Sequence, residues 1–197
     1  PVIDELNLPA AGVKFSKTGI VTDHRLRTSN RRIFAIGDVT GRQQFTHMAS
    51  YHASICIRNI LFKYPAKIDE TAVPWVTYCD PELAHVGLTH DAAINRWGRN
   101  NVTVTKWDFT DNDRARADHK TQGMVKAVIH KNGRILGASI LAPMAGEIIQ
   151  AWILAIANRQ KIASLATMIA PYPTYGEASK RAAGNFFTAK LYSKTMQ

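Results

Sequence analysis

The stretch "GMVKAVIHKNGRILGASILA" (residues 123–142) decides the fold class. Its two halves, 123–131 and 134–142, alternate apolar and other residues as β-strands do. Between them, Asn132-Gly133 is the strongest short sequence signal of a β-hairpin. The stretch therefore predicts two neighbouring antiparallel strands.

The flanking sequence extends this pattern. "AHVGLT" (84–89) and "NVTVTKWDF" (101–109) also alternate like strands, and helical spacing begins at residues 89, 146, 161 and 174. The helix over 146–158 is apolar almost all round, so it is expected to be buried on more than one side, with another subunit as a candidate partner. The predicted fold class is α+β, an antiparallel sheet flanked by helices.

The first third of the chain has a different pattern. "GIVT" (19–22) and "RIFAIGD" (32–38) are short β-like runs, and 43–62 has helical spacing. The predicted inner face of this helix comprises Phe45, Ala49, Ala53, Cys56 and Ile60. "KYPAKIDETAVP" (63–74) is polar and contains two prolines, so it is predicted to be a connector that divides the chain near residue 65.

Composition and charge exclude several classes of protein. A chain of 197 residues that is 46% hydrophobic can bury a proper core. Its longest apolar run, "AWILAIA" (151–157), is far short of a membrane span, so a soluble cytoplasmic protein is expected. The net charge of +10 is spread evenly, without a basic run, which argues against nucleic-acid binding.

Common catalytic and metal-binding motifs are missing. The sequence contains no G-x-G, so it has no complete dinucleotide fingerprint, and no G-x-S-x-G elbow. "DFTDNDRARADH" (108–119) resembles a calcium loop but lacks the central glycine and the final glutamate. Cys56 and Cys79 are too far apart in sequence to form a redox or zinc motif. No metal site is predicted.

Two stretches remain as candidates for a ligand site. In "TSNRRIFAIGDVTG" (28–41), a predicted strand delivers Gly37 and Asp38 at its end, where a carboxylate can accept hydrogen bonds from sugar or polyol hydroxyls. The same Gly-Asp pair is also a common way to end any strand.

The second stretch is "APYPTYGEASKRAAGNFF" (170–187), in which Tyr172 stands between two prolines. Proline fixes its own φ and restricts the residue before it, so the tyrosine lies on a stiff approach. Thr174 and Glu177 match a capping box, which predicts a helix from Thr174. The phenol either faces a polar ligand near this helix start or packs into the core of its own chain.

Five stretches occur in the order and spacing of one family: "TSNRRIFAIGDV", "FTHMAS", "VTYCDPELAHVGLT", "GRILGASILAPMAGEII" and "PYPTYGEASKRAA". On these motifs the sequence resembles the pyridine nucleotide-disulfide oxidoreductases over nearly its whole length. Within that family it is most similar to the mercuric reductase-like branch, and it looks like the C-terminal part of a longer flavoenzyme.

The resemblance implies a division of labour along the chain. Residues 1–66 would hold the end of the nucleotide-binding domain and the second, incomplete segment of the FAD-binding domain, and residues 67–197 would form the dimerisation domain. It implies FAD as cofactor, NAD(P)H as hydride donor of the full-length protein, a homodimer, and a small-molecule or metal-ion electron acceptor. The chain alone is expected to be inactive.

The resemblance also implies roles for particular residues. Asp38, beside Gly37, would bind the ribityl chain of FAD. The helix start around His47, Met48 and Ala49 would bring backbone groups to the flavin ring, where the helix dipole stabilises the negative charge of the reduced flavin.

Tyr172 would face the flavin of the partner subunit. Disulfide reductases of the family carry histidine there and a glutamate five residues on, which matches Glu177; tyrosine resembles the mercuric reductases instead. A phenol with a pKa near 10 is a poor proton shuttle to a thiol, which argues against lipoamide- or glutathione-type reduction. The cysteine pair that mercuric reductases carry near the C-terminus is absent from "AKLYSKTMQ" (189–197). The alternative function is a non-enzymatic homodimerisation module without flavin.

Overall fold

The computed structural model describes the backbone of residues 1–195 and the side chains of residues 1–188. The chain forms two compact units, Pro1–Glu70 and Thr71–Gln197, called unit 1 and unit 2 below. The sequence placed the division slightly earlier, between residues 66 and 67. Residues 61–73 hold no helix or strand, in agreement with the predicted connector.

Unit 2 is built on a five-stranded sheet with the strand order β3-β4-β7-β6-β5. Every neighbouring pair is antiparallel, as the sequence predicted. The strands are β3 (Pro74–Thr77), β4 (Glu82–Gly87), β5 (Val102–Asp108), β6 (Met124–His130) and β7 (Ile135–Ala142). The edge strand β3 was not predicted from the sequence. It has only four residues and begins with proline, so it is too short to show an alternating pattern.

The predicted hairpin joins β6 to β7. The amide of His130 donates to the carbonyl of Arg134 at 2.9 Å, and the amide of Gly133 donates to the carbonyl of His130 at 2.8 Å. Gly133 has a φ of +90°, which glycine adopts without steric cost. The turn fixes the register of β6 against β7, two neighbouring interior strands of the sheet.

In the described part of unit 2, six helices accompany the sheet: α2 (His90–Trp97), α3 (Asp113–Ala117), α4 (Ala145–Ile148), α5 (Gln150–Ala157), α6 (Ile162–Ala166) and α7 (Glu177–Thr195). Alternate residues of β6 point to opposite faces. Val125 and Ala127 belong to the main core with Trp152 of α5, whereas Val128 packs with Ala93 of α2. The sheet is therefore covered by helices on both faces.

Two helix predictions in unit 2 need correction. The helix predicted from residue 146 begins at Ala145 and is divided at Ile149 into α4 and α5. The helix predicted from Thr174 begins at Glu177 instead. The hydroxyl of Thr174 donates to the carbonyl of Pro171, and the carboxylate of Glu177 accepts from Arg181, so neither side chain makes the bonds of a capping box.

Unit 1 contains little regular structure. It has a two-stranded ribbon, β1 (Phe15–Ser16) and β2 (Gly19–Ile20), and one long helix, α1 (Thr46–Ile60). The strand predicted over 32–38 is wrong, because Phe34 forms only an isolated bridge with Arg27. The amide of Gly37 donates to a side chain of α1, so no strand ladder can continue there.

The predicted inner face of α1 is confirmed at Cys56 but wrong at its other four positions, which are not fully buried. The buried residues are Met48, His52, Ile55 and Cys56, whereas Ile60 is 48% exposed. Ala49 and Ala53 lie on the predicted face but are small, so their weak hydrophobic signal did not fix the orientation of the helix. The polar residue His52 is turned inward by its hydrogen bond to Gly37.

The described residues were compared with the requirements of a membrane-spanning helix and of a metal site. No helix among them combines the length and the apolar character that crossing a membrane requires. The described histidine, cysteine and acidic side chains form no group of three that could hold a metal ion.

Candidate functional site

Gly37 and Asp38 lie in a tight turn against α1. Residues Gly37–Thr40 form one turn of 3-10 helix, and Gly37 has a φ of +66°. A Cβ atom at Gly37 would lie 2.9 Å from the Cβ of Ala49, so only glycine lets the turn approach the helix this closely. The turn leaves the Asp38 side chain exposed beside the first turn of α1.

The N-terminus of α1 has no side-chain cap. Phe45 precedes it in an extended conformation, and its side chain makes no capping bond. The first amides of a helix lack intrahelical partners and carry the positive end of the helix dipole. This end of α1 can therefore receive hydrogen-bond acceptors or a partial negative charge.

The structure distinguishes among the three residues predicted at this helix start. Met48 is buried, and the amides of Met48 and Ala49 both donate to the carbonyl of Phe45. Thr46 and His47 are exposed, and the ring of His47 stacks on that of Phe45 at 5.0 Å. The helix start therefore presents Thr46 and His47 outward, while Ala49 contacts Gly37.

Tyr172 does not plug the core of its own chain. It is 69% exposed, and its hydroxyl donates to Asp113 Oδ2 at 2.9 Å. This hydrogen bond and the charge of Asp113 raise the pKa of Tyr172 above its usual range. The phenol is therefore a protonated, outward-facing group at neutral pH.

The segment that carries Tyr172 is held by α3 through three side-chain bonds, here called the α3 clamp. Tyr172 bonds to Asp113, and Asn112 donates its amide to the carbonyl of Thr174 at 3.0 Å. The third bond joins the hydroxyl of Tyr175 to Asp118 Oδ2, also at 3.0 Å. Residues about sixty positions apart in the sequence are thereby fixed against each other.

Asn112 and Asp118 each make a second bond within the clamp. Asn112 is 3% exposed, and its Oδ1 caps α3 by accepting from the amide of Ala115. Asp118 pairs with Arg114 at 2.8 Å, and the hydrogen bonds from Arg114 and Tyr175 lower the pKa of Asp118. Both residues therefore bond to the Tyr172 segment and to α3 at the same time.

Glu177 does not bond to Tyr172. Its side chain is 14% exposed and accepts from Arg181 at 2.8 Å, one helical turn further on. The guanidinium of Arg181 also lies 5.8 Å from the centre of the Trp107 ring. Glu177 is thus committed to α7, and the carboxylate that contacts the phenol is Asp113.

A groove of about 430 Å³ runs beside the clamp, lined on one side by Pro173, Thr174 and Tyr175 and on the other by Met144, Ile148 and Glu147. Met144 is 56% exposed. The groove is open and largely apolar, with the carboxylates of Glu147 and Asp118 at its rim. It gives the Tyr172 segment a surface that another molecule can contact.

Sequence reasoning missed Asn112, Asp113, Asp118 and His52. The first three lie in the stretch that resembles a calcium loop, where asparagine before "DRARA" is a recognisable helix N-cap signal. Nothing in the local sequence indicates which distant segment these side chains bind. The side chains of 189–197, where a cysteine pair was sought, lie outside the described part of the structure.

Two family models match this chain. Residues 73–183 match the pyridine nucleotide-disulphide oxidoreductase dimerisation domain, and residues 2–53 match the pyridine nucleotide-disulphide oxidoreductase model. The two matches fall on unit 2 and unit 1 respectively.

Curated proteins and solved structures agree with these models. Mercuric reductase from Staphylococcus aureus is 38% identical over 94% of this chain and 34% of its own length. Dihydrolipoyl dehydrogenase from Geobacillus stearothermophilus is 36% identical over 93% of this chain and 39% of its own length. The HOCl-induced flavoprotein disulfide reductase of Escherichia coli has a TM-score of 0.85 at 28% identity, over 93% of this chain and 42% of that one.

The chain spans about a third of the length of the mercuric reductases that it matches. The dimerisation-domain match alone covers more than half of its residues. Residues 73–183 of unit 2 match the family's dimerisation domain, and the chain belongs to the pyridine nucleotide-disulphide oxidoreductase family.

Proposed function

We propose that this chain forms part of the FAD site and the dimer interface of an NAD(P)H-dependent oxidoreductase of the mercuric reductase-like branch. The observation that carries the proposal is the Gly37–Asp38 turn packed against the uncapped start of α1. Residues 1–66 would supply the end of the nucleotide-binding domain and the second FAD segment, and residues 67–197 the dimer contacts.

The residues of the turn fit a flavin dinucleotide. FAD has a polyol chain that offers hydroxyl donors and a ring edge that accepts hydrogen bonds and gains negative charge on reduction. The exposed carboxylate of Asp38 suits the hydroxyls, and the first turn of α1, at Thr46 and His47, suits the ring edge. The close contact of Gly37 with Ala49 keeps these two groups side by side.

When bound, FAD supplies the chemistry that accepts hydride from NAD(P)H and passes electrons to the acceptor. The role of this chain is to bind and orient it. Asp38 would hold the polyol, and the amides at the start of α1 would favour the anionic reduced ring.

In the proposed homodimer, Tyr172 faces the flavin site of the partner subunit. Its exposure leaves the phenol available for such a contact, and the α3 clamp keeps it in one orientation. Because Asp113 raises the pKa of Tyr172, the phenol holds its proton at neutral pH and does not act as a base. Glu177 would stabilise the helix that follows through Arg181.

The proposed acceptor is a metal ion or another small molecule that needs no proton from position 172. Reduction of a disulfide substrate releases a thiolate, which must be protonated to leave as a thiol. A phenol that is bonded to a carboxylate is a poor proton donor for that step. The mercuric reductases from Staphylococcus aureus and Bacillus cereus, at 38% and 36% identity, are consistent with this branch. A flavin-free dimerisation module is disfavoured because residues 2–53 match the oxidoreductase model.

Reconstitution with FAD tests the proposal. Purified within the full-length protein that contains it, the chain should be yellow, retain FAD through gel filtration and quench its fluorescence, and sedimentation should show a dimer. Asp38→Asn should weaken FAD binding by about tenfold, the effect of losing a charged hydrogen-bond acceptor. Asp4→Asn removes another exposed carboxylate of unit 1 and should leave binding unchanged. A dimer that stays colourless with excess FAD would contradict the proposal.

A further inference from the structure

His52 is a buried polar residue that touches the Gly37–Asp38 turn. It is 0% exposed, and its Nδ1 accepts a hydrogen bond from the amide of Gly37 at 3.0 Å. The other buried residues of α1, such as Met48 and Ile55, are apolar. The imidazole therefore connects the body of the helix to the turn next to Asp38.

The protonation state of His52 follows from this bond. Because Nδ1 accepts, the neutral ring carries its proton on Nε2. Nε2 is buried and has no hydrogen-bond partner among the described residues. A proton on Nδ1 would turn the acceptor into a donor that faces the amide of Gly37, so the bond exists only while the ring is neutral.

The surroundings of His52 favour the neutral ring. Burial lowers its pKa, the charge of Arg42 lowers it further, and the charge of Glu70 opposes both. Arg42 and Glu70 form an ion pair at 2.9 Å, and the ring of Tyr51 lies 6.1 Å from the imidazole. Folding thus holds a neutral acceptor beneath Gly37 at physiological pH.

We propose that His52 is a positioning residue of the flavin site, whose neutral imidazole fixes the Gly37 amide and, through the adjoining peptide, the direction of the Asp38 carboxylate. This inference rests on the proposed function, since it assigns the turn to FAD. Protonation of His52 releases Gly37, so FAD affinity falls as the pH drops below the ordinary histidine pKa of about 6.5.

Two variants separate the acceptor from the titrating ring. His52→Asn places an amide oxygen near the position of Nδ1, so it keeps an acceptor for Gly37 but cannot titrate. His52→Leu fills similar space without any acceptor. The first variant is the rescue, and the second removes the proposed contact.

Amide hydrogen exchange at Gly37 is the readout that does not depend on FAD. Protection at neutral pH should be equal in the parent chain and His52→Asn, and at least about tenfold lower in His52→Leu. As the pH falls well below the ordinary histidine pKa of about 6.5, the parent should lose protection while His52→Asn keeps it. Equal protection in the parent and His52→Leu would overturn the inference.

Fluorescence titration with FAD, on the full-length apoprotein that contains the chain, provides the second readout. His52→Leu should bind FAD about tenfold more weakly, and His52→Asn should match the parent at neutral pH without its loss of affinity in acid. If His52→Leu fails to fold, the acid profile decides: an unchanged loss of affinity in His52→Asn overturns the inference, and its disappearance supports it.

Failure of the proposed function would look different. A parent chain that binds no FAD, yet shows the protection of Gly37 that depends on His52, would remove the flavin site and with it the positioning role of His52. FAD binding that is normal in all three chains, with no change at Gly37, would overturn the role of His52 alone.

Discussion

Different kinds of interaction stabilise the interior of unit 2 and the interior of unit 1. In the described part of unit 2, one large core that includes the fully buried Trp152 joins the sheet to α4, α5, α6 and α7, and a smaller core lies between the sheet and α2. Unit 1 has two small separate cores, one around Ile3 and Val13 and the other around Leu26 and Ile55. Regular backbone pairing dominates unit 2, whereas unit 1 depends on individual polar contacts.

Ser29 illustrates how unit 1 is held. Its hydroxyl donates to the carbonyl of Gly12 at 2.7 Å and accepts from the amide of Lys14 at 2.8 Å. Asn30 bonds to the carbonyl of Ala11 in the same way. The Gly37–Asp38 turn is anchored to α1 in a similar way, by the hydrogen bond of Gly37 to His52 and the contact of Gly37 with Ala49. The geometry of this turn should therefore be more sensitive to a single substitution than the geometry of the sheet.

The largest expected effect is in the core of unit 2. Trp152→Ala removes a fully buried indole and leaves the hydroxyl of Ser179 without the donor that now lies 2.9 Å away. The free energy of unfolding should fall by about 3–5 kcal/mol, measured by urea denaturation with near-ultraviolet circular dichroism. Leu154→Ala, at a 63% exposed position of the same helix, should cost less than about 1 kcal/mol. Similar losses for both variants would contradict a single close-packed core.

The next effect tests the turn of unit 1. Gly37→Ala introduces a Cβ at a positive φ and within 2.9 Å of Ala49, so it should destabilise the chain by about 2–3 kcal/mol and weaken FAD binding. The measurements are chemical denaturation and FAD fluorescence.

Gly12 offers a matched control for that substitution. It has the same φ of +66° but nothing within 4 Å of an added Cβ. Gly12→Ala should therefore cost only the backbone strain, about 1 kcal/mol, and leave FAD binding intact. If the two alanine variants are equally unstable, the contact with Ala49 is not what positions the turn.

A smaller effect is expected at the α3 clamp. Asn112→Ala removes the N-cap of α3 and the bond to Thr174, so stability should fall by about 1–2 kcal/mol. Amide exchange in the Tyr172 segment should accelerate. Thr89→Ala removes the N-cap of α2 without touching that segment, so it should lower stability without changing exchange near Tyr172. Unchanged exchange in Asn112→Ala would mean that α3 does not hold the phenol.

The same contrast explains what the sequence could predict. Strands β4 to β7 were found because alternation is a property of neighbouring residues, and the hairpin was found because Asn132-Gly133 has a local conformational preference. Gly37 and Asp38 stood out through their own chemistry. The false strand over 32–38 had the right apolar composition, but nothing in that stretch shows that no partner strand is available.

The errors arise where a side chain bonds to a partner that the local pattern does not indicate, and in two cases that partner is distant in the sequence. Asn112 meets Thr174 across the fold, and His52 turns α1 toward Gly37. Thr174 and Glu177 have the right spacing for a capping box, but each finds another partner, Pro171 and Arg181. Local patterns state which bonds a side chain can make, and only packing decides which of them it does make.

The smallest expected change concerns the phenol alone. Asp113→Asn removes the charge and the strong acceptor that favour the protonated form of Tyr172, so the pKa of Tyr172 should fall toward its usual value. Phenolate absorbance during alkaline titration, with Tyr172→Phe to identify the transition, measures the shift. Asp118→Asn should instead lower the pKa of Tyr175, to which Asp118 is bonded. Because Tyr172 is exposed, stability should hardly change, so a pKa that responds equally to both variants would show that the carboxylates act as a diffuse charge and not as separate anchors.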